Sequence, residues 1–456
     1  MGGIHVKLLG LSIENLHGSY NYEVSFNHDV TFIYGSNGCG KTTILNITEA
    51  IITGQLFKLF SYSFKRIELR YSKKNNSSIS KIVIVEEKKR LNVTFREKEF
   101  CIDKIDLPDT RRLPERERME AIRKYYDMYP FLKGIANIFN YVYLPLNRTY
   151  TNINTNEKYY YTYRQFNDSI VYDDRYMSSP SIQDKSISDV ETLIFHQYSL
   201  INSKLNEISD TFRNQILQSA LSVQADFDIS SFFTNVIRNK NTVNELEKTK
   251  HAYLNILNEL NLSSAAAENC ELFFSKVLDE YRKITSGSKD GEAEDILSFF
   301  LSYSEISKIK NIVHIAEEVE KKKSEVRKPI ELFLDTMNDF IGNTEDCKEI
   351  KLDSMGQVCF STKHSKRNLS IHNLSSGEKQ LLIFFANLIF KVQTNDSGIF
   401  VVDEPELSLH LDWQRIFVEK TMEINPNIQL IFATHAPEII GRHRNKMFKL
   451  VKEYAK

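Results

Sequence analysis

The sequence predicts an α/β protein: mixed sheets around a glycine-loop core, split in two by a compact helical lobe. Three observations carry that prediction. Short apolar runs rich in β-branched residues fill residues 1–150 and return in 341–456. Between them, 189–340 places apolar residues at three-to-four spacing. Near the N-terminus, a glycine-rich loop joins a buried run to a helical pattern, the strand–loop–helix join of α/β folds.

The elements can be justified in order. Residues 4–13, 22–26 and 30–34 read as strands, the last a continuous apolar run of the buried kind. A helix pattern covers 42–52. Residues 67–71, 81–86 and 91–95 form a meander separated by polar turns, and 141–144 is an apolar strand closed by Pro145. The next stretch, 151–188, is rich in Tyr, Asn, Asp and Ser without a period, and is expected to be a long loop-like insertion or surface excursion. In 189–340, Leu193, Tyr198, Ile201, Leu205 and Ile208 mark one helical face, and Leu246, Tyr253, Leu257 and Leu260 another. A polar linker at 285–294 interrupts the helices, and the charge run 317–328 suits a solvated helix face. No heptad is sustained, which predicts a compact lobe instead of a coiled-coil arm. In 341–456, strands at 363–370, 398–402, 428–432 and 446–451 alternate with helices at 380–391 and 411–423.

Composition narrows the function classes. The chain has 456 residues, of which 41% are hydrophobic, enough for roughly two to three domains. With Lys+Arg at 59 and Asp+Glu at 60, the net charge is −1, which argues against a globally basic nucleic-acid binder. Cys39, Cys101, Cys270, Cys347 and Cys359 are dispersed without zinc spacing, as suits a reducing compartment. The longest apolar run, 381–390, is too short to cross a membrane and contains Asn387. The first residues lack a signal-peptide pattern. A soluble, cytoplasmic chain is expected.

Four motifs carry chemistry. Gly35-Ser36-Asn37-Gly38-Cys39-Gly40-Lys41-Thr42-Thr43 fits the phosphate-loop pattern GxxxxGK[ST] in the strand–loop–helix setting it requires. Its glycines let amides turn toward phosphate oxygens at a helix N-terminus. Lys41 is expected to neutralise the β- and γ-phosphates of ATP, and Thr42 to ligate Mg2+. The apolar run ending in Asp403-Glu404-Pro405 supplies a second Mg2+ group in Asp403 and a water-polarising base in Glu404. Leu374-Ser375-Ser376-Gly377-Glu378-Lys379-Gln380 opens a helix, with Ser375 and Glu378 spaced as a capping box. Its Ser375 hydroxyl and the amides of Ser376 and Gly377 are also placed to bind an anion. Thr434-His435 follows the last apolar strand.

Together these motifs resemble the ATP-binding heads of ABC proteins in their RecF/SMC branch, in which an insert divides the head. The resemblance covers roughly 4–150 and 340–450 and leaves the helical lobe unnamed. It implies that Ser375, Ser376, Gly377 and Glu378 form a signature that reaches a nucleotide on a second subunit. It implies that His435 is a γ-phosphate switch and that 407–410 is the loop crossing to that subunit. Where the family has two successive glycines, this chain has Ser376 for the first. The Q-loop has no Gln; Asn147 or Arg148 stands there.

The wording LSSGEKQ, DEPExSLH and ATHxPEII resembles the ATPase subunits of bacterial anti-phage operons, the Septu type first and the PARIS type second. That resemblance implies a homo-oligomer, a dimer or up to a hexamer, holding a separate nuclease: HNH in the first case, TOPRIM in the second. No nuclease pattern is present in the chain itself. The alternative is a RecF-like repair clamp touching DNA through Arg111, Arg112, Arg116 and Arg118, which equally suit a salt-bridged helix.

Overall fold

The structure is a computed structural model and describes residues 6–73, 76–88, 90–104, 115–144, 182–221, 241–259, 264–285, 293–342, 347–391 and 398–454. It divides into two units, residues 1–198 with 329–456, and residues 199–328.

Along the first unit run β1 (Val6–Leu16), β2 (Tyr20–Ser25), β3 (Val30–Tyr34), α1 (Lys41–Ile52), β4 (Arg66–Lys73), β5 (Asn76–Glu87), β6 (Arg90–Phe95), β7 (Lys98–Asp103), α2 (Glu115–Met128), α3 (Pro130–Ala136) and β8 (Tyr141–Leu144). The helices α4 (Ile182–Leu221), α5 (Thr242–Glu259), α6 (Ser264–Thr285) and α7 (Ala293–Ile341) follow. The chain closes with β9 (Glu349–Leu352), β10 (Val358–Thr362), β11 (Ser365–Ser370), α8 (Ser376–Lys391), β12 (Ile399–Asp403), α9 (Leu411–Ile424), β13 (Gln429–Thr434), α10 (Pro437–Ile440), β14 (Met447–Lys449) and β15 (Glu453–Tyr454).

Two larger sheets and a small one build the first unit. A seven-stranded sheet runs β15-β2-β1-β4-β5-β6-β7 and is antiparallel at every pairing. Its strands alternate buried and half-exposed residues, as in β4, because one face meets the core and the other water. A five-stranded sheet, β14-β3-β13-β12-β8, is parallel throughout. Every residue of β12 and β13 is buried, which explains why both read as unbroken apolar runs. The helix α8 is buried almost all round, its Phe384 packing edge-on against Phe400 and at a tilt against Phe417, with centroids 5.0 and 4.4 Å apart. The remaining three strands form the sheet β11-β10-β9.

Among the described residues of 199–328, buried apolar side chains gather in small clusters. One joins Leu246, Val277, Tyr281, Phe299 and Ile306, and another joins Phe212, Ile256 and Val319. The structure differs from the sequence expectation at several boundaries, most clearly at the start of α4. Helix α4 starts at Ile182, inside the stretch expected to be loop through 188, because Ile187, Val190 and Ile194 supply a buried stripe at helical spacing. The rest of that stretch, 151–181, lies outside the described residues. Helices α4 and α7 run for 40 and 49 residues, longer than the periodicity suggested, and α7 carries Pro329 in its interior. Among the described residues, no helix is long and apolar enough to cross a membrane.

Candidate nucleotide site

The site grows from the register of the parallel sheet. β13 pairs with β12 on one side and β3 on the other, with Asp403 opposite Ala433 and Ala433 opposite Ile33. Asp403, the end of β3 and the glycine loop that follows are thereby brought to one carboxyl edge, where open parallel sheets bind ligands.

The loop is fixed by its own backbone and by β2. Gly40 sits at φ 106°, a conformation that side chains rarely adopt, and a Cβ there would lie 2.9 Å from the Tyr22 hydroxyl. That hydroxyl donates to the Cys39 carbonyl at 3.1 Å. Helix α1 starts at once, without a side-chain cap and without an acid in its first turn, so its first amides remain for an anion. Ser36, Asn37, Gly38 and Thr42 are exposed, Gly40 and Thr43 half-buried, and Gly35 and Cys39 buried. Lys41 is only 7% exposed, and its ammonium donates to the carbonyls of Gly35 at 2.8 Å and Ser36 at 3.4 Å. The cation is held by the very loop whose phosphates it is expected to meet.

Asp403 is buried, and its carboxylate oxygens make no hydrogen bond of full geometry, although the Thr42 hydroxyl lies close enough to favour the charged form. Burial, reinforced by the neighbouring Glu404 and Glu406, pushes its carboxyl up to about 6, while Thr42 and Lys41 offset part of that rise. A carboxylate beside a threonine hydroxyl is a donor set that suits a hard divalent cation such as Mg2+.

Glu404 follows in a left-handed conformation, φ 50°, with its amide donating to the Ala433 carbonyl at 2.8 Å. Such backbone costs about 1–3 kcal/mol in a residue with a side chain and concentrates at functional sites. Its carboxylate remains half-exposed beside the buried Asp403. Glu406 lies inside. Its Oε1 accepts from the His435 amide at 3.0 Å and lies 3.1 Å from His435 Nδ1. Gln414 donates to the Leu409 carbonyl at 2.9 Å and Gln380 to the Pro405 carbonyl at 3.0 Å, fastening the segment between Glu404 and His410 to α8 and α9.

The signature turn is built by reciprocal capping. The Ser375 amide donates to Glu378 Oε2 at 2.8 Å, and the Glu378 amide to Ser375 Oγ at 3.4 Å. Both Glu378 oxygens also take the Lys348 ammonium at 3.0 Å. Glu378 therefore faces inward and braces the turn, while Ser375 and Ser376 face solvent. Gly377 is buried, and a Cβ there would meet the Ser408 carbonyl at 2.4 Å. The turn and the 407–410 loop thus lie against each other within one chain.

Glycine loop and paired acids come together as one site; the signature turn's contacts lead instead to Lys348 and Ser408. Asn147, Arg148, Arg111 and Arg112 lie outside the described residues, as do the side chains of Arg116 and Arg118. Sequence reasoning missed Glu406, Tyr22 and Lys348. Glu406 carries a weak signal, a third acid in DEPE; the other two carry none.

The chain is 28% identical over 117 residues to the Retron Vc95 probable ATPase of Vibrio cholerae serotype O1 biovar El Tor, covering 24% of this chain and 23% of the relative. It is 31% identical over 81 residues to the Retron Ec83 probable ATPase of Escherichia coli, covering 16% and 15%. The matched segments thus span less than a quarter of either relative. Among solved structures, it is similar to an Smc head domain with an extended coiled coil from Pyrococcus furiosus (TM-score 0.38, 12% identity, 99% and 96% covered). It is also similar to an Smc head with a coiled coil and joint from Pyrococcus yayanosii (TM-score 0.35, 13% identity, 99% and 97% covered). Those scores are too low to add to the fold assignment. A family model for the AAA ATPase domain matches residues 7–440, nearly the whole chain. The chain belongs to the AAA ATPase domain family.

Proposed function

We propose that this chain binds Mg2+–ATP at the glycine loop and hydrolyses it slowly, as a conformational switch shared between two copies. The observation that carries the reading is the buried Asp403 carboxylate beside Thr42 and Lys41. The loop amides and Lys41 hold the phosphates, and Thr42 and Asp403 hold the cation. Mg2+, when bound, neutralises charge on the phosphate oxygens. Glu404 orients and polarises the attacking water, and His435 contacts the γ-phosphate. Ser375, Ser376 and the Gly377 amide complete the site on the nucleotide of a second copy. Their exposed edge supports that arrangement, with Glu378 as the brace behind it.

At the level of biology, similarity to two retron-associated probable ATPases supports a defence-system role. The Septu-type resemblance adds a separate HNH nuclease held by an oligomer of heads, with a TOPRIM partner under the PARIS-type alternative. ATP then acts as the joint between heads, and hydrolysis releases it. The RecF-like DNA-clamp reading rests on Arg111 and Arg112, outside the described residues, and on Arg116 and Arg118, whose side chains are not described, and no described contact favours it.

The test is co-expression with the neighbouring gene, followed by mass photometry with and without ATP. A nuclease retained in a multi-head complex whose mass depends on ATP is the expected result. A monomer that ignores both ATP and its neighbour overturns the reading.

A further inference from the structure

We infer that Glu406 is a positioning residue for His435, fixing the imidazole so that Nδ1 points into the protein and Nε2 is presented outward. This deepens, and rests on, the switch role proposed for His435. Three observations support it. Glu406 is 7% exposed, yet its Oε1 spans both the backbone amide and Nδ1 of His435, at 3.0 and 3.1 Å. The histidine side chain itself is 53% exposed, so packing alone does not hold the ring. The backbone that carries Glu406 is held through the Pro405 and Leu409 carbonyls. A rigid carboxylate therefore orients a loose ring, the arrangement by which a carboxylate sets which nitrogen of a histidine carries the proton. With Nδ1 turned to Glu406, Nε2 is the nitrogen left for an incoming phosphate oxygen or water.

Glu406 also raises Asp403 through its charge, so its removal has a second consequence that the test must separate. The experiment uses the full chain with E406A, E406Q, H435A and the double variant E406A/H435A. Steady-state ATPase assays are run at saturating Mg2+. For E406A, kcat is expected to fall roughly tenfold to a hundredfold with KM for ATP changed less than about twofold. E406Q keeps an acceptor at Oε1 and is expected to recover most of that loss. Adding E406A to H435A is expected to cost nothing further, because the ring it positions is gone. Multiplying losses, or an E406Q as slow as E406A, would overturn the inference and place the effect on Asp403.

A second readout is independent of turnover. Nitrogen-15 spectra of the 11 histidines, with the His435 signal found by subtraction of H435A, report which ring nitrogen is protonated. Protonated Nδ1 in the wild type, lost in E406A and kept in E406Q, is expected. Unchanged His435 shifts in E406A would sink the proposal even if the protein hydrolyses no ATP. Absent hydrolysis with the expected shifts would instead remove the ATPase reading alone.

Discussion

The glycine loop and the signature turn both open helices, and both carry small polar residues suited to an anion, but their surroundings differ. At the glycine loop the chain supplies Lys41 buried on loop carbonyls, Thr42 beside Asp403, and uncapped amides at the start of α1. At the signature turn the chain supplies only the back. Glu378 and Lys348 brace it, Ser408 closes beneath Gly377, and the Ser375–Ser376 edge opens to solvent. The difference teaches that similar residues at a helix start gain buried charged neighbours in one place and, in the other, a brace behind an open edge.

Perturbations of each region should therefore separate cleanly. The largest effect is expected from Glu404→Gln, which should lower turnover by about a hundredfold or more while leaving ATP bound. Closed dimers should accumulate on size exclusion; unchanged hydrolysis would point to another base. Lys41→Ala removes the buried cation, and nucleotide affinity measured by calorimetry should weaken roughly a hundredfold. Retained affinity would break the phosphate-holding role proposed for Lys41.

Ser375→Arg touches only the open edge. It should leave ATP binding to a single chain intact while cutting ATPase activity by about tenfold or more, through blocked closure. Full activity would show that the turn faces nothing. A smaller effect is expected from pH. Because the free Asp403 carboxyl is pushed up to about 6, protons compete with Mg2+ below that value. Apparent Mg2+ affinity should fall by about tenfold per unit as pH drops below about 6, and stay level above it. Asp403→Asn should be weaker throughout and lack that slope. Gly377→Ala is the mildest, a steric change beneath the turn that should cost about 1–3 kcal/mol in thermal or urea unfolding.

Some of this was legible beforehand for a physical reason. Phosphate loops demand residue types at fixed local spacing, so Gly35 to Thr43 could be read without knowing any neighbour. Buried parallel strands announce themselves as apolar runs, and β12 and β13 are buried at every position. The capping box of Ser375 and Glu378 is likewise a local pattern, and its hydrogen bonds lie where the spacing put them. The onset of α4 was missed because a Tyr- and Asp-rich composition masked the helical stripe that begins at Ile187.

What the sequence alone determined was an α/β framework, a loop of the phosphate-binding pattern and a pair of acids at a strand end, each set by short-range chemistry. Tertiary structure alone decided which groups meet. Sheet register set Asp403 level with Ile33 near the end of β3, burial set its carboxylate beside Thr42, and packing assigned Tyr22 to the loop, Lys348 to Glu378 and Glu406 to His435. Those pairings join residues from separate strands and helices. Their energies depend on distance and on the low dielectric around them, quantities that come into being only when the chain has folded.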